Sequence, residues 1–257
     1  MQLRRAALGF TLTELAVVFT IVALLIGGAI LTLNAQVEQR NHDETMRRLN
    51  AAAEAVLAFA IVRRRLPCPA LDGATGDEAQ AGGGACTTWG SAAPAGPHGG
   101  LLPARTIGFQ PTDASGYALD VWGNRIRYAV ANAITGCTGS PATPHFTSEL
   151  NLKANGISCR PNDLDICAPT GTTTTCTAAN RVASTETIAF IVLSTGKNGA
   201  LTATYGPHES ANVDGTAAFI SRTPSSAEAN NGAFDDLMVM VPVGAIYAKL
   251  IAAGVLP

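Results

Sequence analysis

One stretch limits what this chain can become more than any other: the apolar run of residues 10–33, in which Glu14 is the single ionisable residue. It is roughly 24 residues long, or ~36 Å of helix at ~1.5 Å per residue, enough to cross a ~30 Å hydrocarbon layer. Arg4 and Arg5 precede it, and no acidic residue comes before Glu14. The positive-inside bias then keeps the first nine residues cytoplasmic and sends the rest of the chain out. A cleaved secretory signal fits less well. The run exceeds the usual ~7–15 apolar residues, and a carboxylate sits near its start. No small-residue cleavage site marks its end; Gly27-Gly28-Ala29 lies inside it. The expectation is a retained membrane helix. A carboxylate in hydrocarbon costs a few kcal/mol, so Glu14 marks a function with a specific partner.

The segment Gly9-Phe10-Thr11-Leu12-Thr13-Glu14-Leu15, behind its basic leader, resembles the cleavage and methylation signal of type IV pilins and type II secretion pseudopilins. The resemblance implies a leader of residues 1–9, cut between Gly9 and Phe10 by a prepilin peptidase that methylates the new N-terminus. It implies that Glu14 is the assembly glutamate, facing the Phe10 amine of a neighbouring subunit. The pairing is physically sensible, because a buried carboxylate is costly alone and tolerable when paired. Other pilin-like subunits, an inner-membrane platform protein and a cytoplasmic assembly ATPase are the implied partners. The implied location is the inner membrane, single-pass with a periplasmic C-terminal domain, and then the filament.

Beyond the membrane helix, roughly 220 residues remain, enough for one good-sized domain or two small ones. Charged residues make up 14% of the chain, against a usual ~25%. No basic stripe interleaved with aromatics occurs, so a nucleic-acid partner is not expected. Six cysteines follow the apolar run: Cys68, Cys86, Cys137, Cys159, Cys167 and Cys176. An even number on the exported side reads as disulfides, with 15 connectivities formally open. Proximity along the chain favours Cys68–Cys86, Cys137–Cys159 and Cys167–Cys176. A cysteine metal site is disfavoured, since no CxxC pair is present.

After residue 33 the helical pattern continues. Val37, Met46, Leu49, Ala52, Ala53, Val56, Leu57, Ala60 and Ile61 recur at three- and four-residue steps, with charges between them. One helix is expected to run on to about Arg64, with residues 34–65 as its exported half, until Pro67 and Pro69 stop it. Residues 71–100 read as a Gly/Ala-rich surface loop stapled by a cystine, with Asp72, Asp77 and Glu78 as a weak cation candidate. Gly123-Asn124 reads as a turn and 125–130 as a strand. Residues 132–186, rich in Thr, Asn, Pro and Gly, read as an insertion that is stapled rather than packed. Thr187 to Ser194 is the strongest strand, apolar enough to be central. Further strands are expected over 217–221 and 237–241, and a short C-terminal helix over 243–253, stopped by Gly254.

Two of these segments extend the resemblance. Asp120-Val121-Trp122-Gly123-Asn124 looks like the D-x-W-G-N-P segment of major pseudopilins, with Arg125 where their proline sits. The strand, Ser-x-Gly-x-Asn-Gly loop, Asp and strand of the C-terminal part resembles the pseudopilin calcium loop. The matching positions are Asn198, Asp235 and Asp236. The alternative is that the two aspartates cap the strand and face water.

The expected fold class is α+β: a long N-terminal spine helix packed on a small antiparallel sheet, with a disulfide-stapled loop insertion and a globular head over 66–257. No Gly-x-Ser-x-Gly elbow, His-Glu-x-x-His pair or phosphate-binding loop occurs. His98, His145 and His208 fall in Pro/Gly-rich stretches, where exposure is expected. A structural, non-enzymatic filament subunit is therefore the expectation. A minor tip subunit and a membrane-anchored exported hydrolase are the alternatives.

Overall fold

The computed structural model describes residues 11–73, 75–80, 86, 98–131, 145–160, 163–183, 186–200 and 205–256, the side chains of 28–34 excepted. The chain forms two compact units, Met1–Asp43 and Glu44–Pro257. Helix α1 (Leu12–Arg63) has no proline in its 52 residues. A capping box opens it. Glu14 N donates to Thr11 Oγ1 (3.3 Å), and Thr11 N donates back to Glu14 Oε2 (2.8 Å). Arg63 is its last residue, Arg64 turns left-handed with φ 55°, and Pro67 prevents resumption.

In the first unit, every described side chain of residues 11–27 is exposed, Phe19, Leu24 and Leu25 among them. Among the described residues, no helix is long and apolar enough to cross a membrane. Phe10 and the side chains of 28–33, which belong to the expected span, lie outside them.

In the second unit, α1 turns one stripe inward: Leu49, Ala52, Ala53, Val56, Leu57 and Ala60 are all buried in the main core. The steps of three, one and four residues keep them on one face. Val37, expected on that face, is exposed, and burial begins only at Thr45. Four of the six inward residues have alanine- or valine-sized side chains, and the stripe packs on a layer below it.

That layer is a three-stranded antiparallel sheet in the order β1 (Arg127–Val130), β3 (Ile188–Ser194), β5 (Leu237–Pro242). All seven residues of β3 are buried, as a run apolar on both faces requires. Its Val192 lies opposite Tyr128 on one side and Val239 on the other. Helix α5 (Val243–Ala252) follows β5 directly and buries Val243, Ile246, Tyr247 and Leu250; Gly254, at φ 68°, ends its C-terminal turn. A four-residue helix, α2 (Ala104–Ile107), lies in the connection after α1.

Three expectations are corrected. The strand expected from Arg125 starts at Arg127, and Arg125 pairs instead with Leu119 in an isolated antiparallel bridge. Its guanidinium stacks on Tyr117 at 4.1 Å and bonds Asp113 and Asp72. The region read as stapled but unpacked contributes to the core in its described part. Phe146, Leu152, Leu164 and Ile166 are buried there, and helix α3 (Glu149–Asn155) and strand β2 (Asp165–Cys167) form within it. The strand expected near 217–221, β4 (Ala218–Ile220), does not join the main sheet but pairs in parallel with β2, Ile166 opposite Phe219. A three-residue strand buried mainly by a distant partner has too little periodicity to be read locally.

Two of the three expected disulfides are present, Cys68–Cys86 and Cys167–Cys176. Cys159 is disulfide-bonded, and Cys137 lies outside the described residues. The first cystine ties the end of α1 to residue 86. The second closes the turn that leaves β2.

Candidate cation site

The C-terminal ends of β3 and the start of β5 bring together residues far apart in sequence. Ser194 ends β3, and Gly196-Lys197-Asn198-Gly199 turns away from it. Gly196 adopts φ 64°, and a Cβ there would collide with Asp235, so only glycine serves. The amides of Lys197 and Asn198 both donate to Asp235 Oδ2, at 2.9 and 3.2 Å. Asp235 and Asp236 are delivered to the start of β5 by a turn that Arg222 holds. Its guanidinium covers the Phe234 ring at 4.5 Å and donates to the carbonyls of Asn231, Gly232 and Ala233.

A third carboxylate comes from helix α4 (Pro207–Val213), which the sequence reading missed. Glu209 is fully buried. Its Oε1 accepts from Asp235 N at 2.9 Å, and its Oε2 accepts from Gly206 N and Asn198 Nδ2, both at 2.9 Å. A signal was present: Pro207 at the first helical position and Glu209 at the third is a helix-start pattern. Three residues on, Asn212 Nδ2 donates to Asp236 Oδ2 at 2.7 Å and also clasps the backbone of Ile220 in β4.

Glu209, Asp235 and Asp236 thus each place one carboxylate oxygen within 4.8 Å of the others. Asp236 is only 6% exposed and does not face water, whereas Asp235 is half-buried. Burial pushes its carboxyl up to about 8, and the charges of Glu209 and Asp235 add to the shift. Burial first, and Glu209 second among the raising causes, move Asp235 to about 6. Three oxygens in this cluster have no hydrogen-bond donor: Asn198 Oδ1, Asp235 Oδ1 and Asp236 Oδ1. Buried polar atoms are rarely left so. Three acids this close, offset by the charges of Arg127 and Arg222, and carboxylate and amide oxygens left without donors are the ligand types of a hard divalent cation. The residues therefore fit calcium, with Asn198, Asp235 and Asp236 as the expected ligands and Glu209 beside them.

The other candidates fare differently. Asp72, Asp77 and Glu78 form no cluster; each is paired with its own arginine, Arg125, Arg105 and Arg65 respectively. His98, His145 and His208 are buried, not exposed. His145 Nε2 bonds Tyr247 Oη at 2.9 Å, and burial holds its pKa down to about 4. A groove of about 470 Å³ runs beside α1 between Phe59 and Ile107, and its polar lining is Arg63 and Thr106. Trp122 is half-buried and packs on the core. Gly9 and Phe10 lie outside the described residues, whereas Glu14 is exposed at the head of α1.

No protein family, curated protein or solved structure gives a significant match to this chain.

Proposed function

We propose that this protein is a structural subunit of a type IV pilus or type II secretion pseudopilus. Its leader is removed at Gly9–Phe10, and subunits assemble through their N-terminal helices. The observation that carries the reading is the surface of the first unit. A helix that leaves Leu12, Leu15, Val17, Val18, Phe19, Leu24 and Leu25 uncovered by its own chain needs lipid or other copies around it. A single carboxylate, Glu14, sits at its start. In a bundle of such helices that carboxylate requires a counter-charge, and the amine freed at Phe10 of a neighbour supplies one.

The α+β head stays outside and, on this reading, binds calcium between Asn198, Asp235 and Asp236. The ion adds positive charge to three crowded carboxylates that Arg127 and Arg222 already face. The head's own residues then fix the turn after β3 against the turn before β5.

The deciding experiment is mass spectrometry of the chain purified from membranes. A mature N-terminus at Phe10, methylated, is expected. An unprocessed chain, or one cut elsewhere, overturns the reading.

A further inference from the structure

We propose that Asn124 and Asp120 are positioning residues for the cation loop: they hold residues 194–199 in the binding conformation without touching the ion. The inference rests on the cation reading above. Asn124 Nδ2 donates to the carbonyl of Gly196 at 2.6 Å. Asn124 is itself fixed, its amide donating to Asp120 Oδ1 at 2.8 Å. The other oxygen of Asp120 accepts from Ser194 Oγ at 2.6 Å, and Ser194 Oγ accepts from Gly196 N at 3.2 Å. Asp120 is 2% exposed and Ser194 fully buried, so water does not compete for these bonds. From the far side, Arg48 on α1 donates to the carbonyls of Asp120 (2.8 Å) and Leu119 (3.3 Å), seating the turn on the helix.

The loop is therefore gripped from two sides. Asn124 holds the carbonyl of Gly196 and Ser194 Oγ its amide. Opposite them, Asp235 holds the next two amides and Glu209 the Asn198 side chain, while Tyr205 holds the Gly199 carbonyl. Neither Asn124 nor Ser194 is among the expected ligands of the ion. The fit is tight as well, because a Cβ on Gly199 would collide with the Asn124 side chain. A Gly-Lys-Asn-Gly turn has many conformations open to it when released. If the Asn124 grip is lost, Asn198 spends only part of its time against Asp235 and Glu209. Apparent affinity then falls in proportion to the fraction that remains competent. The two segments singled out in sequence, the Trp-Gly-Asn turn and the Ser-x-Gly-x-Asn-Gly loop, are thus parts of one device.

The test is calorimetric titration of Ca²⁺ into the full chain in detergent micelles, for the parent protein, Asn124→Ala, Asn124→Asp and Ser194→Ala. Asn124→Asp keeps the shape and removes the donor. Tyr128→Phe is the control: it deletes a buried bond to Pro67 O, away from the loop, and lowers thermal stability without a reason to change calcium binding. Calcium affinity is expected to fall about tenfold or more in both Asn124 variants and severalfold in Ser194→Ala, which covers the case of an Asn124 variant that fails to fold. Tyr128→Phe should match the parent. Parent-like affinity in a folded Asn124 variant, or an equal loss in Tyr128→Phe, overturns the positioning role while leaving the cation site standing. A parent protein that takes up no calcium overturns the cation reading and this inference with it.

Discussion

Arg65 and Glu78 meet through two parallel bonds, Nη1 to Oε2 at 2.8 Å and Nη2 to Oε1 at 2.7 Å, with both side chains about 15% exposed. They lie where α1 has just ended. Glu78 Oε2 also accepts from Cys68 N, so one carboxylate anchors both the helix exit and the Cys68–Cys86 staple. Arg65 further lies over the Phe59 ring at 5.3 Å.

Removing one partner of such a pair strands the other away from water. Glu78→Ala is expected to cost about 3 kcal/mol, whereas Arg65→Met with Glu78→Leu should cost less than either single truncation. Denaturant unfolding of the full chain reads the difference. A Glu78→Ala loss below about 1 kcal/mol would mean that the pair is solvent-screened and weak.

Glu14 has two roles to separate. In the single chain it caps α1 through Thr11; in the proposed filament its charge faces a neighbour's amine. Glu14→Gln keeps an acceptor for the cap and removes the charge. The expected outcome is normal membrane insertion with filament incorporation reduced tenfold or more, in both Glu14→Gln and Glu14→Ala. Incorporation at parent levels in Glu14→Gln would assign Glu14 to the cap alone. The assay is immunoblotting of sheared filaments against whole membranes.

Asp236→Asn removes a buried titratable carboxyl and keeps an acceptor for Asn212. In chelator the variant is expected to melt several degrees above the parent, because burial no longer opposes ionisation there. Calcium at about 100 times its dissociation constant should stabilise the parent by about 2.7 kcal/mol and leave Asp236→Asn unmoved. An equal calcium-dependent rise in both proteins would remove Asp236 from the ligand set.

His145 sets an acid limit. Folding holds it neutral to about pH 4, against an ordinary value of 6.5. Between these values the unfolded chain takes up a proton that the folded chain refuses. Stability is therefore full above pH 6.5 and falls as the pH drops toward 4. On the order of 1–2 kcal/mol should go between pH 7 and pH 5. His145→Gln should flatten that part of the profile, as measured by melting at the two pH values. An unchanged slope would show that His145 does not couple to folding.

Much of the framework was legible along the chain because its causes are local. The unbroken three- and four-residue rhythm through Ala60, followed by Pro67, specifies α1 and its stop. The all-apolar run 188–193 specifies a central strand, and Ile246, Leu250 and Gly254 specify the last helix. Cysteines close in sequence form the two described staples because short loops close easily. Tertiary structure alone decided the rest. Asp235 and Asp236 read equally well as strand caps until α4 places Glu209 beside them, 26 residues upstream. The three histidines read as exposed because Pro and Gly surround them, whereas burial is a property of what packs on top. Strands β2 and β4 are too short to carry a period, and their pairing joins segments about 50 residues apart. Periodicity and turn chemistry act over a few residues and are written in order; desolvation, orphaned oxygens and charge crowding exist only once distant segments share the same space.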